Sequence, residues 1–253
     1  MIIIKNKIAV EKMKVAGALL AQVLSDVAEY VIPGKTTLEI NDIIERKMIA
    51  SDLHPVCKGY GGYSWATCIS LNDVVVHGVP SAKVVLKSGD FVKIDVAGSY
   101  KKYCADMARY FFVGEVSPQI KKIAAVAQRA LDGAIDIIVP GKRISDVSAV
   151  IQKEVERHGF GVVRKFAGHG IGKDLHEDPE IPNFNDPDAV LGPILREGMT
   201  LAIEPMITER SYEIRVMSDG WTAKTLDGGI AAHVEDTVLV THDGAEVLTR
   251  LKL

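Results

Sequence analysis

A chain of 253 residues with 47% hydrophobic and 25% charged residues can bury a sizeable core and has the balance of a globular protein, which excludes a fibre or a disordered segment. The formal net charge of −3 argues against a general nucleic-acid surface, and no apolar run reaches membrane-spanning length. Three cysteines (Cys57, Cys68 and Cys104) have an odd count and no CxxC spacing, so no disulfide framework is expected and a reducing cytoplasm is the expected location.

Along the chain, Ile8, Ala16, Leu20, Val23, Leu24, Val27 and Val31 recur at helical spacing and predict an amphipathic helix over 7–31, with Asn6 as N-cap. Lysines 5, 7, 12 and 14 read as its solvated face in preference to a surface for a ribosome or other acidic partner. Pro33-Gly34 ends this helix. Thr36 and Glu39 have capping-box spacing and open a second helix that runs to about Ser51. Ala66–Ser70 and Val74–His77 form one predicted hairpin, Phe91–Gly98 and Tyr103–Val113 another. Ser117-Pro118 caps a long helix to Val139, Pro140-Gly141 breaks it, and Ser145-Asp146 opens a further helix to His158-Gly159. Strands are expected near 161–166, 199–206, 213–217, 230–240 and 246–250.

This order appears twice, and so do its details. Val31-Ile-Pro-Gly-Lys35 is echoed by Ile138-Val-Pro-Gly-Lys142, an offset of 107 residues between the prolines. Lys87-Ser-Gly-Asp-Phe-Val-Lys-Ile-Asp95 is echoed by Arg196-Glu-Gly-Met-Thr-Leu-Ala-Ile-Glu204, an offset of 109 between the terminal acids. The economical architecture is α+β: one domain over 1–253, its halves roughly 7–113 and 117–250, related by a pseudo-twofold, with helices on one face of a central antiparallel sheet.

Each half aims a carboxylate at a common place. Asp95 and Asp106 fall on the two arms of a predicted hairpin, roughly opposite one another and on one face. Either acid alone reads as a solvated strand residue; the pair with its echo at Glu204 reads as a metal site. Glu204 ends an apolar run before proline, a poor place for an unpaired charge. Glu235 lies in an otherwise apolar strand with His233 on the same face. His169 sits between glycines in Gly168-His169-Gly-Ile-Gly, which lacks the lysine and hydroxyl pairing of a phosphate loop. His77 and His176 lie beside the set; His77 alone would read as a structural histidine. Asp95, Asp106, Glu204 and Glu235 carry about −4 together, which two divalent cations balance in a dry pocket. One imidazole among oxygen donors suits Mn, Fe, Co or Zn, and no cysteine is needed as a ligand.

Seven ordered motifs then carry a resemblance: Cys68-Ile-Ser-Leu-Asn-Asp-Val-Val-Val-His77-Gly, Ile94-Asp95-Val, Cys104-Ala-Asp106, Gly168-His169-Gly-Ile-Gly, Leu175-His176-Glu-Asp-Pro, Ile203-Glu204-Pro and Glu235-Asp-Thr. Over nearly its whole length the chain resembles the type I methionine aminopeptidases, with their pita-bread fold. The resemblance implies a cytoplasmic, monomeric dimetal hydrolase that removes the initiator methionine from nascent polypeptides and prefers a small second residue. A transient ribosome contact is left open, with no direct nucleic-acid or membrane function. It implies Asp106 and Glu235 as bridging ligands, Asp95 completing one metal site and His169 with Glu204 the other. It places His77 near the substrate amine and scissile amide, His176 at the oxyanion and Glu204 as proton shuttle. Cys57, Tyr60, Tyr63, Cys68, Leu175 and Trp221 would line the methionine pocket, although each also reads as ordinary packing. The chain departs from the family pattern at Gly61, Leu175, His233 and Asp236, positions that bear on specificity and metal preference. Two other functions compete: a proline-directed peptidase of the same fold, and a non-catalytic binding protein that kept it.

Overall fold

The two Pro-Gly echoes perform the same task in the computed structural model, which describes residues 1–185 and 191–251. Gly34 and Gly141 have φ of 90° and 97°, a left-handed conformation that glycine adopts without strain. The Gly34 N–H donates to the Leu86 carbonyl and the Gly141 N–H to the Leu195 carbonyl. Leu86 and Leu195 donate in return to the carbonyls of Lys35 and Lys142. In each half, the helix-to-helix turn is thereby tied to the turn that feeds an acid-bearing strand.

The first half contains α1 (Lys7–Val27), α2 (Thr37–Ala50), β1 (His54–Pro55), β2 (Thr67–Leu71), β3 (Val74–Val76), β4 (Phe91–Tyr100) and β5 (Tyr103–Phe112). The second contains α3 (Pro118–Asp136), α4 (Ile144–Glu156), β6 (Gly161–Val162), β7 (Ala167–Gly170), β8 (Glu177–Pro182), β9 (Thr200–Ile203) and β10 (Met206–Thr208). It continues with β11 (Ile214–Val216), β12 (Ala223–Thr225), β13 (Ala231–His233), β14 (Glu235–Val240) and β15 (Ala245–Val247). A nine-stranded sheet runs β1-β4-β5-β14-β9-β7-β8, with β2 also on β4 and β15 also on β14. The pairs β4/β5 and β9/β14 meet at β5–β14, the position of the pseudo-twofold. Two three-stranded sheets, β13-β10-β6 and β11-β12-β3, complete the fold.

Strand alternation sorts the two faces. Val92, Ile94, Val96, Ala105 and Met107 pack under α1 and α2. Leu201, Ile203, Val238 and Val240 pack under α3 and α4. The intervening positions, which include Asp95, Asp106, Glu204 and Glu235, fall on the opposite face.

Three helix starts form as the sequence predicts. Asn6 accepts from the Ala9 N–H at 3.0 Å, Thr36 and Glu39 make a reciprocal capping box, and Ser117 accepts from the Ile120 N–H at 3.3 Å ahead of Pro118. Other expectations are corrected. The first α-helix stops at Val27 and a single 3₁₀ turn covers Ala28–Tyr30. Ile8 is exposed; Ala9 and Met13 occupy the buried stripe instead. The fourth helix opens at Ile144, because the Asp146 carboxylate accepts from the Arg143 N–H one position earlier than expected. The runs 199–206 and 230–240 each divide between two sheets, at Glu204-Pro205 and at Val234, since proline cannot continue the ladder and the chain must cross between layers. Of the four lysines read as one solvated face, Lys5 is buried against Glu177, and Lys12 lies over the Tyr103 ring.

Gly17 in α1 packs on the chain backbone near the carboxy-terminal end of the fold, where a Cβ would collide with the Leu248 carbonyl. Gly17→Ala raises intrinsic helix propensity by about 1 kcal/mol. The backbone clash reverses the sign, and urea unfolding is expected to show a net loss of about 1–3 kcal/mol.

Candidate metal centre

Asp95 and Asp106 do share a face, but they are not opposite. Asp95 pairs with Ala108, and Asp106 with Ala97, so the two acids are diagonal neighbours across the β4–β5 ladder. Glu235 opens β14, where it too pairs with Ala108 from the other side. Thr237 fixes this junction: its hydroxyl accepts from the Asp106 N–H at 2.9 Å and donates to the Asp106 carbonyl at 2.8 Å. His169 arrives on β7, paired with Ala202 of β9 two residues before Glu204. Its flanking glycines serve the neighbouring strands: a Cβ at Gly168 would meet the Ala202 carbonyl, and one at Gly170 the Asp178 carbonyl. The Gly168-His169-Gly170 part of the segment is therefore a strand packed between two others, not a phosphate loop.

Ligand atoms of Asp106, His169 and Glu235 lie within 4.8 Å of one another, all three residues buried. His169 Nε2 is 3.8 Å from Asp106 Oδ2 and 3.7 Å from Glu204 Oε1. His169 Nδ1 is 2.8 Å from the Gly170 carbonyl. A carbonyl only accepts, so Nδ1 carries the proton and Nε2 turns a lone pair toward the acids, the tautomer a metal ligand needs. Asp95 and Glu204 are half-buried and stand at the accessible side of the group.

The four acids are out of electrostatic balance. Burial pushes Asp95 up to about 6 and Glu204 up to about 8. Burial and the neighbouring carboxylates push Asp106 and Glu235 well above the ordinary range. Among the described residues, no lysine or arginine forms an ion pair with any of the four. Asp106 Oδ1 and Glu235 Oε1 are buried without a hydrogen-bond partner. Buried carboxylate oxygens that lack donors, beside an imidazole lone pair, fit divalent cations.

Three further histidines face this group. Burial holds His77 and His233 down at about 4 and lowers His176 as well. His176 lies with its ring centroid 4.2 Å from that of His169, and its Nδ1 is 2.7 Å from the Tyr60 hydroxyl. His77, at φ 59°, sets its ring edge-on to Phe166. Beside them Tyr63, Cys68 and Leu175 are buried, and Cys57 lies close enough to Cys68 and Asp95 for their charges to raise its thiol beyond the effect of burial. Tyr63 stacks edge-on against Trp221, while Tyr60 is exposed at the rim.

Some supporting residues escaped the sequence. Asn183 donates to the Glu204 carbonyl at 3.0 Å, and Arg109 to the Glu235 carbonyl at 2.6 Å. His233 Nε2, buried and without a hydrogen-bond partner, lies 3.4 Å from Glu204 Oε2. Its place in a strand beside Glu235 was visible; its approach to Glu204 depends on the crossing between sheets.

The model of metallopeptidase family M24 matches residues 11–242. The chain belongs to metallopeptidase family M24. It is 41% identical to a methionine aminopeptidase of Clostridium acetobutylicum over 98% of this chain and 99% of that protein. It is 39% identical to methionine aminopeptidase 1 of Bacillus subtilis over 99% of this chain and 100% of that protein. The crystal structure of methionine aminopeptidase from Thermotoga maritima superposes with a TM-score of 0.96 at 45% identity, covering 99% and 100% of the two chains. The prolidase of Pyrococcus furiosus has a TM-score of 0.81 at 24% identity and is covered over 66% of its length, a likeness of fold. M24 membership and the unbalanced acids agree on a metal-dependent hydrolase.

The carboxyls give the metal-free protein a distinctive pH response. Glu204 is raised in the folded state, so above about pH 6.5 the folded protein still holds a proton that the unfolded chain has lost, and stability falls as pH rises through about 8. The depressed histidines act only below about pH 6.5, where unfolded imidazoles take up protons that folded ones refuse; Lys93, held down at about 7 by burial, opposes the fall above that pH, and Asp106 and Glu235, both raised well above the ordinary range, outweigh it. Calorimetry on chelator-treated protein is therefore expected to show a falling thermal midpoint from about pH 6.5 to about pH 8.5, with added Mn reversing the trend.

Proposed function

We propose that this M24 hydrolase is a methionine aminopeptidase that removes the initiator methionine from nascent polypeptides and favours a small second residue. The observation that carries the reading is the adjacency of the unbalanced Asp106–His169–Glu235 group to two thiols, Cys57 and Cys68, near enough to Asp95 and Asp106 for those charges to raise them, with buried Tyr63 and Leu175 in the same neighbourhood. Apolar, polarisable walls accept a methionine side chain and reject a charged one. Full-length relatives carrying that activity in their names support the assignment.

Asp106, His169 and Glu235, together with Asp95 and Glu204, would hold the divalent ions. Imidazole among carboxylates suits Mn, Fe, Co or Zn. When bound, such ions supply an activated water and polarise the scissile carbonyl. The chain's own residues supply the rest. Glu204, ionised once cations take the place of the proton it holds without them, takes the proton of the attacking water and passes it to the departing amine. His176, with Nδ1 engaged by Tyr60, presents its other ring nitrogen toward the oxygen that gains charge. His77 faces the substrate amine and scissile amide. Tyr63, Leu175 and Trp221 would surround the methionine side chain, with exposed Tyr60 beside them.

With Mn or Co added, the protein is expected to release methionine from Met-Ala peptides much faster than from Met-Lys peptides, and to leave Xaa-Pro substrates intact. Asp106→Ala is expected to reduce turnover to background and to lower the bound metal measured by elemental analysis. Equal rates on the two methionine peptides, or preference for Xaa-Pro, overturns the assignment. Metal-free protein that no divalent ion activates favours a binding role instead.

A further inference from the structure

The loop that joins β7 to β8 carries both Leu175 and His176, yet it has little regular structure of its own. One buried ion pair reaches across it. Lys5 Nζ lies 2.6 Å from Glu177 Oε2, with the two side chains 4% and 5% exposed. The other oxygen, Glu177 Oε1, reaches back over the loop and accepts from the Lys173 N–H at 2.9 Å and the Asp174 N–H at 3.5 Å. Lys5 is itself anchored: its N–H donates to the Gly198 carbonyl at 2.8 Å, and Nζ also donates to the Ile3 carbonyl at 3.0 Å. The pair presses directly on the loop, since a Cβ at Gly172 would strike both Glu177 Oε1 and Lys5 Cε. On its far side, the loop is fixed to β5 by the Cys104 N–H, which donates to the Gly172 carbonyl at 2.7 Å.

We propose that Lys5 is a positioning residue for the reaction: through Glu177 it holds the 172–176 loop in the shape that presents His176 and Leu175 to substrate. The idea rests on the methionine aminopeptidase reading above. The hydrogen bonds and ion pair of Lys5 go to Ile3, Gly198 and Glu177, and to none of the five candidate metal ligands. A buried ion pair is poor evidence for stability, because a hydrophobic pair of similar volume often serves as well. What a hydrophobic pair cannot do is satisfy the Lys173 and Asp174 amides. The second carboxylate oxygen gives this pair a directional task that packing alone does not explain. A side chain displaced by 1 Å from its working position can lose about 10²-fold in rate, so the loop need not unfold for the consequence to be large.

The test uses the full chain with Mn present and three variants: Lys5→Met, Lys5→Arg and the double variant Lys5→Met/Glu177→Met. Lys5→Met is expected to lower kcat on a Met-Ala peptide about tenfold or more. Calorimetric Mn titration should match the wild type. Lys5→Arg, which keeps the charge, should recover most of the rate. The double variant should regain the thermal midpoint but not kcat, and hydrogen exchange at the Lys173 and Asp174 amides should stay fast. A double variant whose kcat returns together with its thermal midpoint overturns the proposal, leaving the pair a stability element. So does a Lys5→Met variant in which those two amides keep wild-type protection. Wild-type protein that releases no methionine defeats the functional reading instead, and the exchange measurement still decides whether Lys5 shapes the loop.

Discussion

Four carboxylates crowded on one face of a sheet, none of them paired with a lysine or arginine among the described residues, are the constraint to which the rest of this molecule answers. Taking one carboxylate out of water costs several kcal/mol even after relaxation, and like charges add to that cost. The structure offers two ways to relieve it: protons, which explain the upward displacement of all four groups, and divalent cations. The folded state keeps the acids converged because the helices and both cores lie on the other side of the sheet. The anionic face is held by structure it does not itself stabilise.

The duplicated plan makes that convergence possible. Each half contributes a pair of strands with apolar residues on alternate positions and acids between them. The halves meet where β5 runs beside β14. Only Ala108 and Met107 of β5 pair in register with β14, so the joint is short. Thr237 extends it by bonding both backbone groups of Asp106, and the Leu248 N–H caps the Thr237 carbonyl from the next segment. A tight junction of this kind fixes the separation of Asp106 and Glu235 more firmly than a longer, twisting ladder would.

Much of this was legible in the residues, for identifiable reasons. The echoes ending at Asp95 and Glu204 announced two equivalent strands, and local chemistry at Asn6, Thr36 and Ser117 placed three helix starts. Parity along β4 and β5 put Asp95 and Asp106 on one face, although the ladder shifted them to a diagonal. What could not be read were properties of layers. The divisions at Pro205 and Val234 depend on which sheet each flank joins. The burial of Lys5 depends on a partner 172 residues away. The glycines around His169 looked fit for a ligand's approach, but the structure uses them to admit neighbouring backbones. Which chemistry the converged acids perform came from the family resemblance and not from periodicity.

Adjacent residues on β14 show how the chain separates an acid neutralised by its own cations from one that has none. Asp236 is fully buried, as Glu235 nearly is. Asp236 points to the helix side, where it accepts from Arg109 at 2.6 Å, Arg250 at 2.7 Å and the Thr249 hydroxyl at 2.7 Å. Every part of that charge is met by protein donors, and the site has nothing left to bind. Glu235, one residue earlier and on the other face, has an unpartnered oxygen and three acids for neighbours. Arg109 reaches only its backbone carbonyl. The same guanidinium therefore closes one carboxylate and steadies the strand of the other while leaving its side chain free. Burial alone does not single out the proposed metal ligand. The mark is a buried acid whose nearest cation has been spent on its neighbour.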